Sequence, residues 1–136
     1  MYRRILLAVD LTDAAPHPKG LAQALDLVKA YDADLRLVNV VPGVEAWPER
    51  QMDVEFEEQL RENAKQRIAE LQATAKIDVP ACVAVGPIAD CVQEEAERHG
   101  ADLLVIGRGA IHETLGRLRT HVYGLIRLSP CPVLSV

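Results

Sequence analysis

Asp10 closes an apolar run, RILLAVD, and Gly107, Arg108 and Gly109 follow a second one, ADLLVIG. Thr12 stands beside the first group; Arg117, Arg119 and Thr120 follow the second. An aspartate and a threonine can hold ligand hydroxyls or, with Asp13, approach a Mg2+ ion, although an Asp at the position of Asp13 also caps a turn. A glycine-flanked arginine ahead of a helix presents backbone N–H groups and planar, bidentate donors suited to phosphate. The chemistry these types share is the holding of an anion. The glycines alone do not specify which one, because Gly-Arg-Gly is neither a Walker loop nor a dinucleotide fingerprint.

Other chemistry-bearing residues lack a working spacing. His112, Glu113 and His121 lie around the same segment without a His-x3-His pair or a zinc pattern. Ser129 and Ser135 have no nucleophile elbow around them. Cys82, Cys91 and Cys131 form no CxxC pair, and cysteines in apolar runs behave as small hydrophobes. No catalytic residue and no metal ligand is assigned, and the protein is not read as an enzyme.

The elements that would position the anion-holding residues alternate along the chain. RILLAVD (4–10) reads as a strand buried on both faces. From Pro18, the residues Leu21, Ala24, Leu25, Val28 and Tyr31 recur at helical spacing. DLRLVNVV (34–41) is a second strand ended by Pro42-Gly43, and a loop containing Trp47 follows. A helix over 53–76 carries the stripe Phe56, Leu60, Ala64, Ile68 and Leu71 above a charged, solvated face. ACVAV (81–85) is the third strand. The next helix starts at Gly86-Pro87, runs through Ile88, Val92 and Ala96, and stops at His99-Gly100. Residues 101–107 form the fourth strand, Val122, Leu125 and Ile126 a helical face, and PCPVLSV the last strand. Five strands alternating with four helices predict an α/β fold around a parallel sheet. In such sheets ligands bind at the carboxyl ends of the strands, where the strand order reverses.

Totals narrow the classes further. The 136 residues fit one domain, 1–136. With 49% apolar and 26% charged residues and no apolar run long enough to span a bilayer, no membrane partner is expected. The amino-terminal MYRRILLAVD is too short for a secretory h-region, so a cytoplasmic protein is expected. A net charge of −5 argues against nucleic acid as partner. Charge is uneven: residues 45–70 carry eight acidic and four basic side chains, whereas 107–128 carry four arginines against Glu113 alone. The anion-holding segment is a cationic island on an acidic chain.

ILLAVDLTD at the start, VGPIADCVQEEAERHGADLLVIG in the middle and SPCPVLSV at the end together resemble a universal stress protein domain over essentially the whole chain. The resemblance implies a Rossmann-like sheet of order 3-2-1-4-5, a crevice between strands 1 and 4, and a homodimer through the C-terminal edge strand. Family members that bind ATP carry G-x2-G-x9-G-(S/T) after the fourth strand, an aspartate ending the first strand and a valine ending the second. Asp10 and Val41 match the last two. Anchored on the tail, Thr120 takes the Ser/Thr position, Arg119 the third glycine and Gly109 the second; Gly107 takes the first only if one residue is deleted. The family motif is therefore altered to G-x-G-x9-R-T.

Two readings follow. In the first, the chain is a binding module holding an adenine nucleotide, ATP or ADP with Mg2+, or another phosphorylated small ligand. Its contacts are Asp10, Thr12, Val41, Gly107, Arg108, Gly109, Arg117, Arg119 and Thr120. In the second, the same fold binds no nucleotide and works as a stress-response interaction dimer. Arg117 and Arg119 then pair with acidic neighbours or solvate the helix start, and Thr120 is an N-cap.

Overall fold

The computed structural model describes residues 1–9, 19–41, 54–107 and 117–136, without the side chains of 117–121. Five strands, β1 (Arg4–Ala8), β2 (Asp34–Val41), β3 (Ala81–Val85), β4 (Leu103–Ile106) and β5 (Val133–Ser135), alternate with four helices. The helices are α1 (Lys19–Tyr31), α2 (Val54–Ala75), α3 (Ile88–His99) and α4 (Arg117–Leu128). Every strand pairing is parallel, and the order is β3-β2-β1-β4-β5. This is the parallel α/β sheet expected from the alternation, in the Rossmann-like strand order that the family resemblance implies.

Successive side chains of a strand point to opposite faces, so near-continuous apolar strands need helices on both sides. Leu6, Ala8, Val38, Val40, Leu104 and Ile106 pack with Ile88 and Val92 of α3 and Leu125 of α4. Ile5, Leu7, Leu35, Leu37, Leu103 and Val105 pack with Leu21 and Ala24 of α1 and Ile68 of α2. Leu6, Leu7, Leu37 and Leu104 are fully buried. Burying each contributes about 1.5–3 kcal/mol, which makes β1, β2 and β4 the rigid floor on which the strand ends are held.

Gly100 ends α3 in the left-handed conformation at φ 69°, with its N–H donating to the Glu97 carbonyl and that of Ala101 to Ala96. A side chain at that φ would be strained, so the glycine is what allows the chain to turn at once into β4. Asp102 then fastens this end by accepting the backbone N–H groups of Arg3 (2.8 Å) and Arg4 (3.0 Å).

Several sequence expectations need correction. α4 begins at Arg117, so Thr120 lies in its first turn and is not its N-cap. Phe56, Tyr31 and Ile126 were expected on buried faces but are largely exposed. Tyr31 makes an edge-on pair with Tyr2 instead of entering the core. Ile126 is one helical step, about 100°, beyond the buried Leu125 and so turns outward.

Candidate functional site

β1 connects to β2 on one side while β4 lies on the other, so the order reverses between β1 and β4. Ala8 sits opposite Ile106, and one residue later the Gly107 N–H reaches the Ala8 carbonyl at 3.5 Å. Beyond that bond both strands run into residues 10–18 and 108–116, which lie outside the described residues. Val9, at the end of β1, is tied to β2 twice. Its N–H donates to the Val38 carbonyl at 2.8 Å, and its own carbonyl accepts the Asn39 side-chain amide, also at 2.8 Å. The Asn39 bond is buried. On the other flank, the Val136 N–H donates to the Ile106 carbonyl at 2.9 Å. The carboxyl ends of β1 and β4 are thus each tied to their outer neighbour strand.

Of the residues assigned from sequence, Asp10, Thr12, Arg108 and Gly109 lie outside the described residues. Gly107 stands at the carboxyl end of β4, beside the end of β1. Arg117, Arg119 and Thr120 occupy the first turn of α4. Val41 is buried at the end of β2, opposite Val85. Its carbonyl accepts the Gly86 N–H at 3.1 Å and so faces β3, whereas the Val38 carbonyl faces β1. Backbone groups alternate sides along a parallel strand. Val40 therefore turns its peptide groups towards β1, and the Val41 carbonyl keeps one lone pair beyond its bond to Gly86.

Two residues at the crevice escaped the sequence reading. Asn39 had a signal: it is the single polar residue in the buried run LVNVV. Gly20 had none, because a glycine inside a helical pattern reads only as a propensity cost. In the structure it is buried in the first described turn of α1, and a Cβ built there would lie 2.9 Å from the Gly107 Cα.

The titratable groups with a resolved shift among the described residues lie elsewhere, towards the amino ends of the strands. The Cys82 thiol is pushed up to about 11, first by burial and then by the neighbouring Glu95 carboxylate. Burial also raises Cys131, although a hydrogen bond from Ser129 opposes it. Burial lowers His99, with the charges of Arg36 and Arg4 adding to the effect. For Asp102 burial acts to raise the pKa, but the backbone donors from Arg3 and Arg4 together outweigh it and the net shift is downward. None of these four groups stands at the carboxyl ends of β1 and β4. Among the described residues no group of three or more His, Cys, Asp or Glu side chains could hold a metal ion. No described helix is long and apolar enough to cross a membrane.

The family model for the universal stress protein family matches residues 1–136. The chain belongs to the universal stress protein family. Universal stress protein G of Shigella flexneri is 28% identical over 142 residues, covering 100% of this chain and 99% of that protein. The universal stress protein UspA from Lactobacillus plantarum superposes with a TM-score of 0.71 at 19% identity, covering 99% of this chain and 97% of its own. A universal stress protein crystallised in complex with cAMP superposes with a TM-score of 0.61 at 21% identity, covering 99% and 96% respectively. These likenesses establish the family and its Rossmann-like fold.

Proposed function

We propose that this universal stress protein is a regulatory binding module, not an enzyme, that holds an adenine nucleotide or another phosphorylated small ligand in the crevice between β1 and β4. The observation that carries the reading is the reversal of strand order between β1 and β4, whose carboxyl ends, at Val9 and Gly107, lead into the Asp10 and Gly-Arg-Gly segments. The cAMP held by a protein of the same fold supports an adenine ligand. Asp10 and Thr12 hold ligand hydroxyls, and Val41 borders the base. Gly107 and Gly109 bring backbone N–H groups to the phosphates, with Arg108, Arg117 and Arg119 supplying charge. The first N–H groups of a helix have no intrahelical partner and carry partial positive charge, so the start of α4 suits the same anion, and Thr120 supplies a hydroxyl donor. Mg2+ accompanies a di- or triphosphate. The protein acts in the cytoplasm as a homodimer.

The dimer forms through β5. This strand is at the sheet edge with β4 on one side, and an edge strand exposes backbone groups that a second copy can pair. Tyr123 and Ile126, three residues apart and both exposed on α4, favour the second reading: the same dimer working through partner proteins without nucleotide.

One experiment separates the readings. ATP or ADP with Mg2+ at about 100 times the dissociation constant is expected to add about 2.7 kcal/mol of stability, raising the melting temperature by on the order of 10 °C. A folded dimer whose melting point ignores every adenine nucleotide supports the interaction reading and sinks the nucleotide one. Light scattering that finds only monomer at micromolar concentration rejects both. Arg119→Gly then fixes the role of the arginine: weaker binding identifies a phosphate ligand, tighter binding an obstacle.

A further inference from the structure

We infer that Gly20 is a positioning residue for the phosphate side of the crevice, acting through Gly107; the inference rests on the nucleotide reading above. A Cβ at Gly20 would stand 2.9 Å from the Gly107 Cα, 3.2 Å from its backbone nitrogen and 3.4 Å from Leu7 Cδ1. Carbon atoms rest at about 3.5–4.0 Å. Two of these neighbours are backbone atoms of β4's last bonded residue, so no side-chain rotation relieves the contact. The reverse substitution is different: a Cβ at Gly107 would lie 3.6 Å from the Gly20 Cα, an ordinary contact. Of the two glycines, the one outside the nucleotide motif is the one that the packing requires.

The consequence is local. α1 packs on β1 and β4, with Leu21 and Ala24 buried against the sheet. Without a side chain at position 20, its backbone seats directly on Gly107. Doubly wound nucleotide folds use a glycine for such close helix–strand packing. The Gly107 N–H bond to Ala8 is long at 3.5 Å, so Gly107 itself is held only weakly on its β1 side. Contact with α1 is then what holds the Gly107 backbone in place. Gly20 acts on the phosphate end of a ligand and leaves the base and ribose end, next to β1 and β2, in place.

The test compares ATP with adenosine by calorimetric titration of the wild type and Gly20→Ala. ATP binding is expected to weaken about tenfold, the equivalent of one charge-assisted hydrogen bond, while adenosine binding changes less than about twofold. Equal loss of both ligands, which general damage to the fold would give, overturns the inference, as does unchanged ATP binding. Hydrogen exchange on the wild type gives a second reading that does not depend on the variant folding. ATP is expected to slow exchange in the amino-terminal half of α1, and adenosine is not. Equal effects of the two ligands there, or no effect of either, reject the coupling. A wild type that binds neither ligand removes the nucleotide reading itself and is recognised before any variant is made.

Discussion

Arg36→Met is expected to destabilise the protein by about 2–3 kcal/mol and lower its melting temperature by roughly 10 °C, while Arg36→Met with Glu95→Leu recovers most of that loss. Glu95 projects from α3 onto the sheet with its side chain only 5% exposed. It meets Arg36 of β2 at 2.7 Å, Nε to Oε1, and Arg98 one turn along α3 at 3.3 Å. The Arg36 Nε–H is not aligned with the carboxylate: the two atoms touch as charges without forming a directed hydrogen bond.

That geometry decides the sign of each substitution. Removing Arg36 leaves a carboxylate almost out of water, and the remaining partner, Arg98, is 68% exposed, so solvent screens its contribution. Removing both charges takes away the desolvation cost as well as the attraction, and a misaligned pair has little attraction to lose. Neighbouring Cys82, its thiol kept protonated by burial and by Glu95, is uncharged and offers the carboxylate only the weak hydrogen bond of an S–H. A double-mutant cycle measured by urea denaturation checks the pattern. A single Arg36→Met variant within about 0.5 kcal/mol of wild type, a surface-like effect, would show that Arg98 alone satisfies the carboxylate.

The elements of this chain were legible because each declares itself locally. β1 and β4 are continuous apolar runs, α3 ends in His99-Gly100, and the alternation of runs with helical stripes admits few architectures besides a parallel sheet. What the sequence hides are relations between elements. Arg36 within DLRLVNVV and Glu95 within VQEEAERHG look like ordinary solvated positions, and only the packing of α3 on β2 buries one against the other. Gly20 is similar, since its role exists only in the approach to a residue that follows another strand. Phe56 and Ile126 err the other way: an apolar type at a plausible helical position does not show that anything covers it. The switch point between β1 and β4 could be located from the strand order. The turn of the Val41 carbonyl towards Gly86 could not, because it depends on how β2 pairs with β3.

Asn39 joins the frame of the crevice to its chemistry, and its variants are expected to differ with pH. Its amide donates to the Val9 carbonyl, and Val9 immediately precedes Asp10. Asn39→Leu keeps the volume and removes the donor, leaving a buried acceptor unsatisfied at a cost of about 1–3 kcal/mol. Asn39→Asp places a carboxylate against a carbonyl, so the charged form is disfavoured both by burial and by the facing oxygen, and the folded-state pKa rises above the unfolded value of about 3.9. Only the protonated acid can donate to Val9. Stability of the Asp variant is therefore present below pH about 4 and is lost as the pH climbs through the raised folded-state value. Denaturation at pH 4 and pH 7 is expected to show the Asp variant close to wild type at the lower pH and below the Leu variant at the higher. Nucleotide affinity should fall with the same pH dependence, because the carbonyl that Asn39 holds is one residue from the aspartate proposed to hold the ligand. An Asp variant whose stability relative to wild type is the same at both pH values would show that the amide bond to Val9 does not anchor the end of β1.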